Sequence, residues 1–89
     1  MPRIARAIAV GYPHHITQRG NHRGVVFFDD EDRRTHLTLL ERFSNMHGLQ
    51  IMAYCLMDDH FHLLAIPESE SSLSKAVGLT NQVYTRYLD

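Results

Sequence analysis

The chain has a single cysteine, Cys55, so no disulfide can close within it. Its place in an apolar run reads as a small core residue in a reducing, cytoplasmic setting. No apolar run approaches the roughly 20 residues that a membrane-spanning helix needs. The opening, MPRIARAIAVGYP, lacks the continuous apolar centre and small-residue cleavage site of a secretory signal. Low-complexity tracts and internal repeats are absent, and a hydrophobic fraction of 44% with 21% charged residues excludes a disordered chain. Net charge is only −1, which argues against a generic nucleic-acid coat protein. One local absence says more. From Met1 to Phe28 there is no acid, and the charged side chains are Arg3, Arg6, Arg19 and Arg23, with His14, His15 and His22 among them. A segregated basic end can hold phosphates even in a near-neutral chain, although the same arginines are equally compatible with a solvated, functionless face.

What is there fits one small domain over residues 1–89. A chain of this size buries only roughly 60 to 65 per cent of its unfolded surface, so stability is marginal or shared with a partner chain. Gly11-Tyr12-Pro13 punctuates an N-terminal arm. His14 to Arg19 then reads as a strand, with His15, Thr17 and Arg19 on one face and His14, Ile16 and Gln18 on the other. The loop RGNHRG, Arg19 to Gly24, lets backbone amides and guanidinium groups approach phosphates closely; the same composition also makes an ordinary polar turn. Asp29-Asp30 caps a helix over Glu31–His47, whose apolar positions Leu37, Leu40, Phe43 and Met46, with Leu39, recur at three- and four-residue intervals. Arg33, Arg34, Glu41 and Arg42 fall on its wet face with no chemistry assigned. Gly48 is placed to end the helix in a left-handed conformation. The run Leu49–Met57 is apolar on both alternating faces, Leu49, Ile51, Ala53, Cys55 and Met57 against Met52, Tyr54 and Leu56, which predicts the middle of a sheet. After Asp58-Asp59 a return strand, His60–Ile66, ends at Pro67. Ser71 or Ser72 caps a second helix bearing Leu73, Ala76, Val77, Leu79, Val83, Tyr84, Tyr87 and Leu88.

This order is an α+β, ferredoxin-like arrangement, β-α-β-β-α, with helices on one face of an antiparallel sheet and the other face open to a ligand. Its last strand is absent, to be completed by a dimer partner or a further segment. The centre of interest is His60-Phe61-His62. In an extended strand the two histidines share a face, roughly 7 Å apart along the chain, while Phe61 points into the opposite layer. Two imidazoles on one strand can clamp a divalent cation with positions left for a phosphate. A histidine opening a strand also often does no more than hydrogen-bond a neighbouring carbonyl.

PRIARAIAVGYPHHITQRGNHRGVVFFDDEDRRTHL followed by IMAYCLMDDHFHLL resembles the REP-associated tyrosine transposases and the related single-tyrosine HUH transposases of small bacterial insertion sequences. The pairing of HITQRGN with AYCLM-x-x-H-x-H-LL is far more specific than the paired histidines alone. The resemblance implies an enzyme that acts on single-stranded DNA, often folded as a hairpin, and binds it as a homodimer. It implies that His60 and His62 hold magnesium or manganese against the scissile phosphate, and that a tyrosine attacks the phosphorus to form a 5′-phosphotyrosine.

Two departures from the family pattern qualify this. Asp58-Asp59 stands where the family usually has Pro-Asn, and the added carboxylate either strengthens the metal site or repels DNA phosphate. The family's nucleophilic tyrosine and its third, amide-bearing metal ligand belong to a later helix, beyond Asp89. Tyr84 and Tyr87 match an earlier helix and are not carried over as the nucleophile, although they are the first suspects should an adduct form. The expectation is therefore a C-terminally incomplete HUH transposase-like domain that binds DNA without cutting it, with Arg19 and Arg23 as the leading DNA contacts and Arg3 and Arg6 behind them. The alternatives are a non-catalytic hairpin DNA- or RNA-binding remnant and a dimeric interaction module in which the histidines only satisfy polar neighbours. The sheet lacks the aromatic pattern of RRM domains.

Overall fold

The computed structural model describes residues 8–19 and 26–88. Its elements run β1 (His14–Arg19), α1 (Asp30–His47), β2 (Leu49–Leu56), β3 (His60–Pro67) and α2 (Ser72–Leu88). The local chemistry accounts for the helix ends. The Asp29 carboxylate accepts the Asp32 N–H at 2.9 Å, and Asp30, Glu31 and Asp32 place negative charge at the positive end of α1. Gly48 closes α1 at φ 74° and its N–H donates to the Ser44 carbonyl. A Cβ there would come within 2.9 Å of Glu68 Oε1 as well as straining the left-handed backbone. Gly48→Ala is expected to cost about 1–2 kcal/mol, read as a lower urea midpoint at unchanged slope. At the start of α2, the Ser71 carbonyl accepts from the Lys75 N–H and the Ser72 hydroxyl accepts from the Ser69 N–H.

The sheet is antiparallel in the order β1-β3-β2, so β1 and β2 run parallel on either side of β3 and α1 makes the crossover between them. This places β3, not β2, in the middle and corrects the expectation that Leu49–Met57 is central. The misleading signal was its two-sided apolar character, which here belongs to an edge strand with Met52 and Tyr54 more than half exposed. A bulge between Ile51 and Ala53 also breaks the simple alternation. Ile51 pairs with Ala65, whereas Ala53 pairs with Leu64 and Cys55 with His62, so one inserted residue moves Ala53 and Cys55 to the opposite face from Leu49 and Ile51. Cys55 is accordingly exposed rather than a core residue.

The core lies between one face of the sheet and both helices. Phe61, Leu63 and Ala65 of β3 pack with Leu39, Leu40, Leu73, Ala76, Val77 and Tyr84, and Phe27 fills the gap ahead of α1. The buried face of α1 differs from the apolar stripe read in sequence. It includes the polar Asp32, His36 and Ser44, while Met46 is exposed. Polar groups cost little at such positions when they find partners, and Asp32 does: it accepts from the Phe28 N–H and the Tyr87 hydroxyl. Among the described residues no helix is long and apolar enough to cross a membrane.

Candidate functional site

The face of the sheet opposite the helices carries the paired histidines. Along β3, residues 61, 63, 65 and 67 are buried while 60, 62, 64 and 66 are partly open, the alternation expected of a central strand covered on one side. His60 and His62 meet edge to face, with ring centroids 5.0 Å apart. The β1 register sets Thr17 opposite His62 and Arg19 opposite His60. His62 Nδ1 lies 3.2 Å from both His15 Nε2 and Thr17 Oγ1, and the His15 ring stacks on it at 5.3 Å. His15 and Thr17 were not singled out from the sequence as site residues. Their alternation with Arg19 on one face of β1 was visible, but the strand pairing that carries them to His62 was not. Beside this cluster a shallow apolar hollow of about 180 Å³ is lined by His15, His62, Ala53, Tyr54, Cys55 and Leu64.

The turn ahead of β3 is held from several sides. Met57 N–H donates to the His60 carbonyl, and the Val26 and Phe27 N–H groups both donate to the Asp58 carbonyl. Arg33, expected to be idle on the wet face of α1, donates to the Asp58 carboxylate at 2.6 Å. Asp59 accepts from His60 Nδ1–H at 2.7 Å, and its other oxygen lies 3.7 Å from the Arg19 guanidinium. The hydrogen bond from His60 holds the Asp59 carboxyl below its ordinary pKa, with the positive charge of Arg19 a smaller contribution.

Two imidazole nitrogens would supply two of the six donors that an octahedral divalent ion takes. His60 commits Nδ1 to Asp59, which leaves its Nε2 as the nitrogen for a ligand bond, and His62, whose Nδ1 lies beside Thr17 and His15, offers Nε2 when Nδ1 carries the ring proton. Among the described residues no group of three or more His, Cys, Asp or Glu side chains is arranged to hold an ion.

The remaining expected residues fall elsewhere. Arg19 lies on the histidine face with its side chain mostly exposed. Arg3, Arg6 and Arg23 lie outside the described residues. Tyr84 and Tyr87 belong to the helical layer. Tyr84 is buried against Phe27 and His36 and donates its hydroxyl to the Val26 carbonyl at 2.7 Å, while Tyr87 donates to Asp32 at 2.8 Å. Burial, with the Asp32 charge nearby, pushes the Tyr84 phenol well above its ordinary value, and the hydrogen bond to Asp32 raises that of Tyr87. Both changes oppose the ionisation that a tyrosine nucleophile requires.

An antiparallel sheet of split β-α-β type, helices on one face and a histidine pair on the other, defines an α+β fold with one face of the sheet open. The family described as "Transposase IS200 like" matches residues 10–89, and the chain belongs to that family. No curated protein matches it significantly in sequence. Among solved structures it is similar to a REP-associated tyrosine transposase bound to a REP hairpin, with a TM-score of 0.76 and 16% sequence identity over 99% of this chain. At that identity the likeness is one of fold. The chain spans 53% of the length of that transposase.

Proposed function

We propose that the chain binds single-stranded DNA folded as a hairpin across the open face of its sheet, as the DNA-binding and metal-holding part of a tyrosine transposase. The observation that carries this reading is the His60–His62 pair on the open face of the central strand, in a chain whose residues 10–89 match the IS200-like family. The hairpin carried by the structurally similar transposase supports the choice of ligand. His60 and His62 would hold magnesium or manganese through their Nε2 atoms. When bound, the ion neutralises charge on the phosphate oxygens. Arg19 contacts the DNA backbone from the neighbouring strand, and Arg3, Arg6 and Arg23 are the further candidates for DNA contact. The exposed apolar edge of β2, with Met52 and Tyr54, supports a homodimer formed along that edge. Residues 1–89 act as one domain that binds DNA, and Tyr84 and Tyr87 do not cut it, because their phenols are engaged in the helical layer on the other side of the sheet from His60 and His62.

The test is an end-labelled hairpin oligonucleotide incubated with the chain and manganese, analysed on native and denaturing gels. A native shift with no covalent adduct is expected, with the hairpin preferred over duplex at fixed salt. Arg19→Ala should reduce the slope of log affinity against log salt by about 0.7 to 0.9, the value of one phosphate contact. Equal affinity for duplex would defeat the hairpin reading. An adduct on the denaturing gel would show that a tyrosine within these residues can act.

A further inference from the structure

We propose that Asp59 is the positioning residue of His60, fixing the ring proton on Nδ1 so that the Nε2 lone pair faces outward as a metal ligand. A neutral imidazole carries one ring proton, and the nitrogen that donates decides which nitrogen can ligate. In His60 the donor is Nδ1, which points at Asp59 Oδ1 at 2.7 Å. The carboxylate comes from the residue immediately before the ring and sits on a turn that cannot swing freely. That turn is tied to the 26–28 segment through the Asp58 carbonyl, to α1 through Arg33, and to β3 through the Met57 N–H. The second Asp59 oxygen lies 3.7 Å from the Arg19 guanidinium at the end of β1, so each carboxylate oxygen has a neighbour of its own. On its other side the His60 ring rests edge to face against His62, which limits rotation. A carboxylate behind a metal-bound histidine orients the ring and raises its basicity, and losing such a partner costs about 10–100-fold in metal affinity. The chain thus carries a carboxylate–histidine unit in which Asp59 touches neither the ion nor the DNA.

This inference rests on the reading of His60 and His62 as a metal half-site. Two readouts on the parent, Asp59→Ala, Asp59→Asn and His60→Ala keep the two apart: the His60 tautomer from long-range proton–nitrogen spectra in mildly alkaline buffer, and manganese affinity by titration. In the parent, His60 is expected as the Nδ1–H tautomer. Asp59→Ala should redistribute the proton and weaken manganese binding by about 10–100-fold. Asp59→Asn should keep the tautomer and most of the affinity, because its amide oxygen still accepts the Nδ1–H bond. An unchanged tautomer in Asp59→Ala overturns the inference. So does equal loss of affinity in both Asp59 variants, which would mean that only the negative charge matters. Manganese affinity that falls in His60→Ala but holds in Asp59→Ala overturns the role of Asp59 and leaves the half-site standing. A parent that binds manganese no better than His60→Ala overturns the half-site and Asp59's role together.

Discussion

Acidification from pH 6.5 to about 4 is expected to remove about 3 kcal/mol of folding stability through one side chain, His36. The His36 ring is 1% exposed and sits among Phe27, Phe61 and Tyr84, with ring centroids 4.8 to 5.1 Å away. Its Nδ1 is buried without a hydrogen-bond partner among the described residues, so a proton placed there finds no acceptor. Burial lowers its pKa from 6.5 to about 4. The unfolded chain therefore takes up a proton where the folded chain resists it. The stability difference is fully present above pH 6.5 and is lost as the pH falls toward 4, at about 1.4 kcal/mol for each pH unit. Asp59 has its carboxyl pKa below the ordinary value of 3.8, so its own contribution is lost only at still lower pH. Urea unfolding from pH 7 to 4 is the measurement, with His36→Leu as the control. The variant should flatten this part of the profile and, by removing an unpartnered buried nitrogen, keep or raise stability at neutral pH. A parent-like slope in His36→Leu would assign the pH dependence to other groups.

The chain's local instructions were legible and its long-range pairings were not. The Asp29 cap, the left-handed Gly48 and the alternation of β3 depend on neighbours within four residues, and each appears where spacing predicts it. So does the separation of His60 and His62 from Phe61. What sequence could not show was which strand lies between the other two. An apolar run reads alike whether it is buried on both faces or left at an edge awaiting a partner, and a single bulge at Met52 then exchanges the faces of the residues beyond it. The same limit hid the support of the site. His15 and Thr17 reach His62 only through the β1–β3 register, and Arg33 reaches Asp58 across 25 residues. Asp58-Asp59 was noticed as a departure from Pro-Asn, but its contacts with Arg33, His60 and Arg19 follow from the fold.

Tyr84→Ala is expected to cost about 3–5 kcal/mol, the range for deleting a large buried aromatic side chain. Folded stability for a chain of this size is about 4–13 kcal/mol, so the variant should be largely unfolded if the parent is marginal. Tyr84 is 3% exposed, joins α2 to the His36 cluster, and ties the Val26 carbonyl through its hydroxyl. Val26 is also the residue whose N–H binds the Asp58 carbonyl, so the tyrosine braces the support of the histidine turn from behind. Tyr84→Phe removes only the hydroxyl and should cost about 1 kcal/mol. Hairpin binding in Tyr84→Phe should remain close to that of the parent, since the aromatic packing that holds segment 26–28 is kept. A structural tyrosine and a nucleophile are thereby separated. Loss of a fold-dependent signal in Tyr84→Ala with binding kept in Tyr84→Phe marks a brace. A covalent adduct in the parent that disappears in a folded Tyr84→Phe protein would instead make Tyr84 the attacking group, despite a buried phenol held in the neutral form and bonded to a backbone carbonyl.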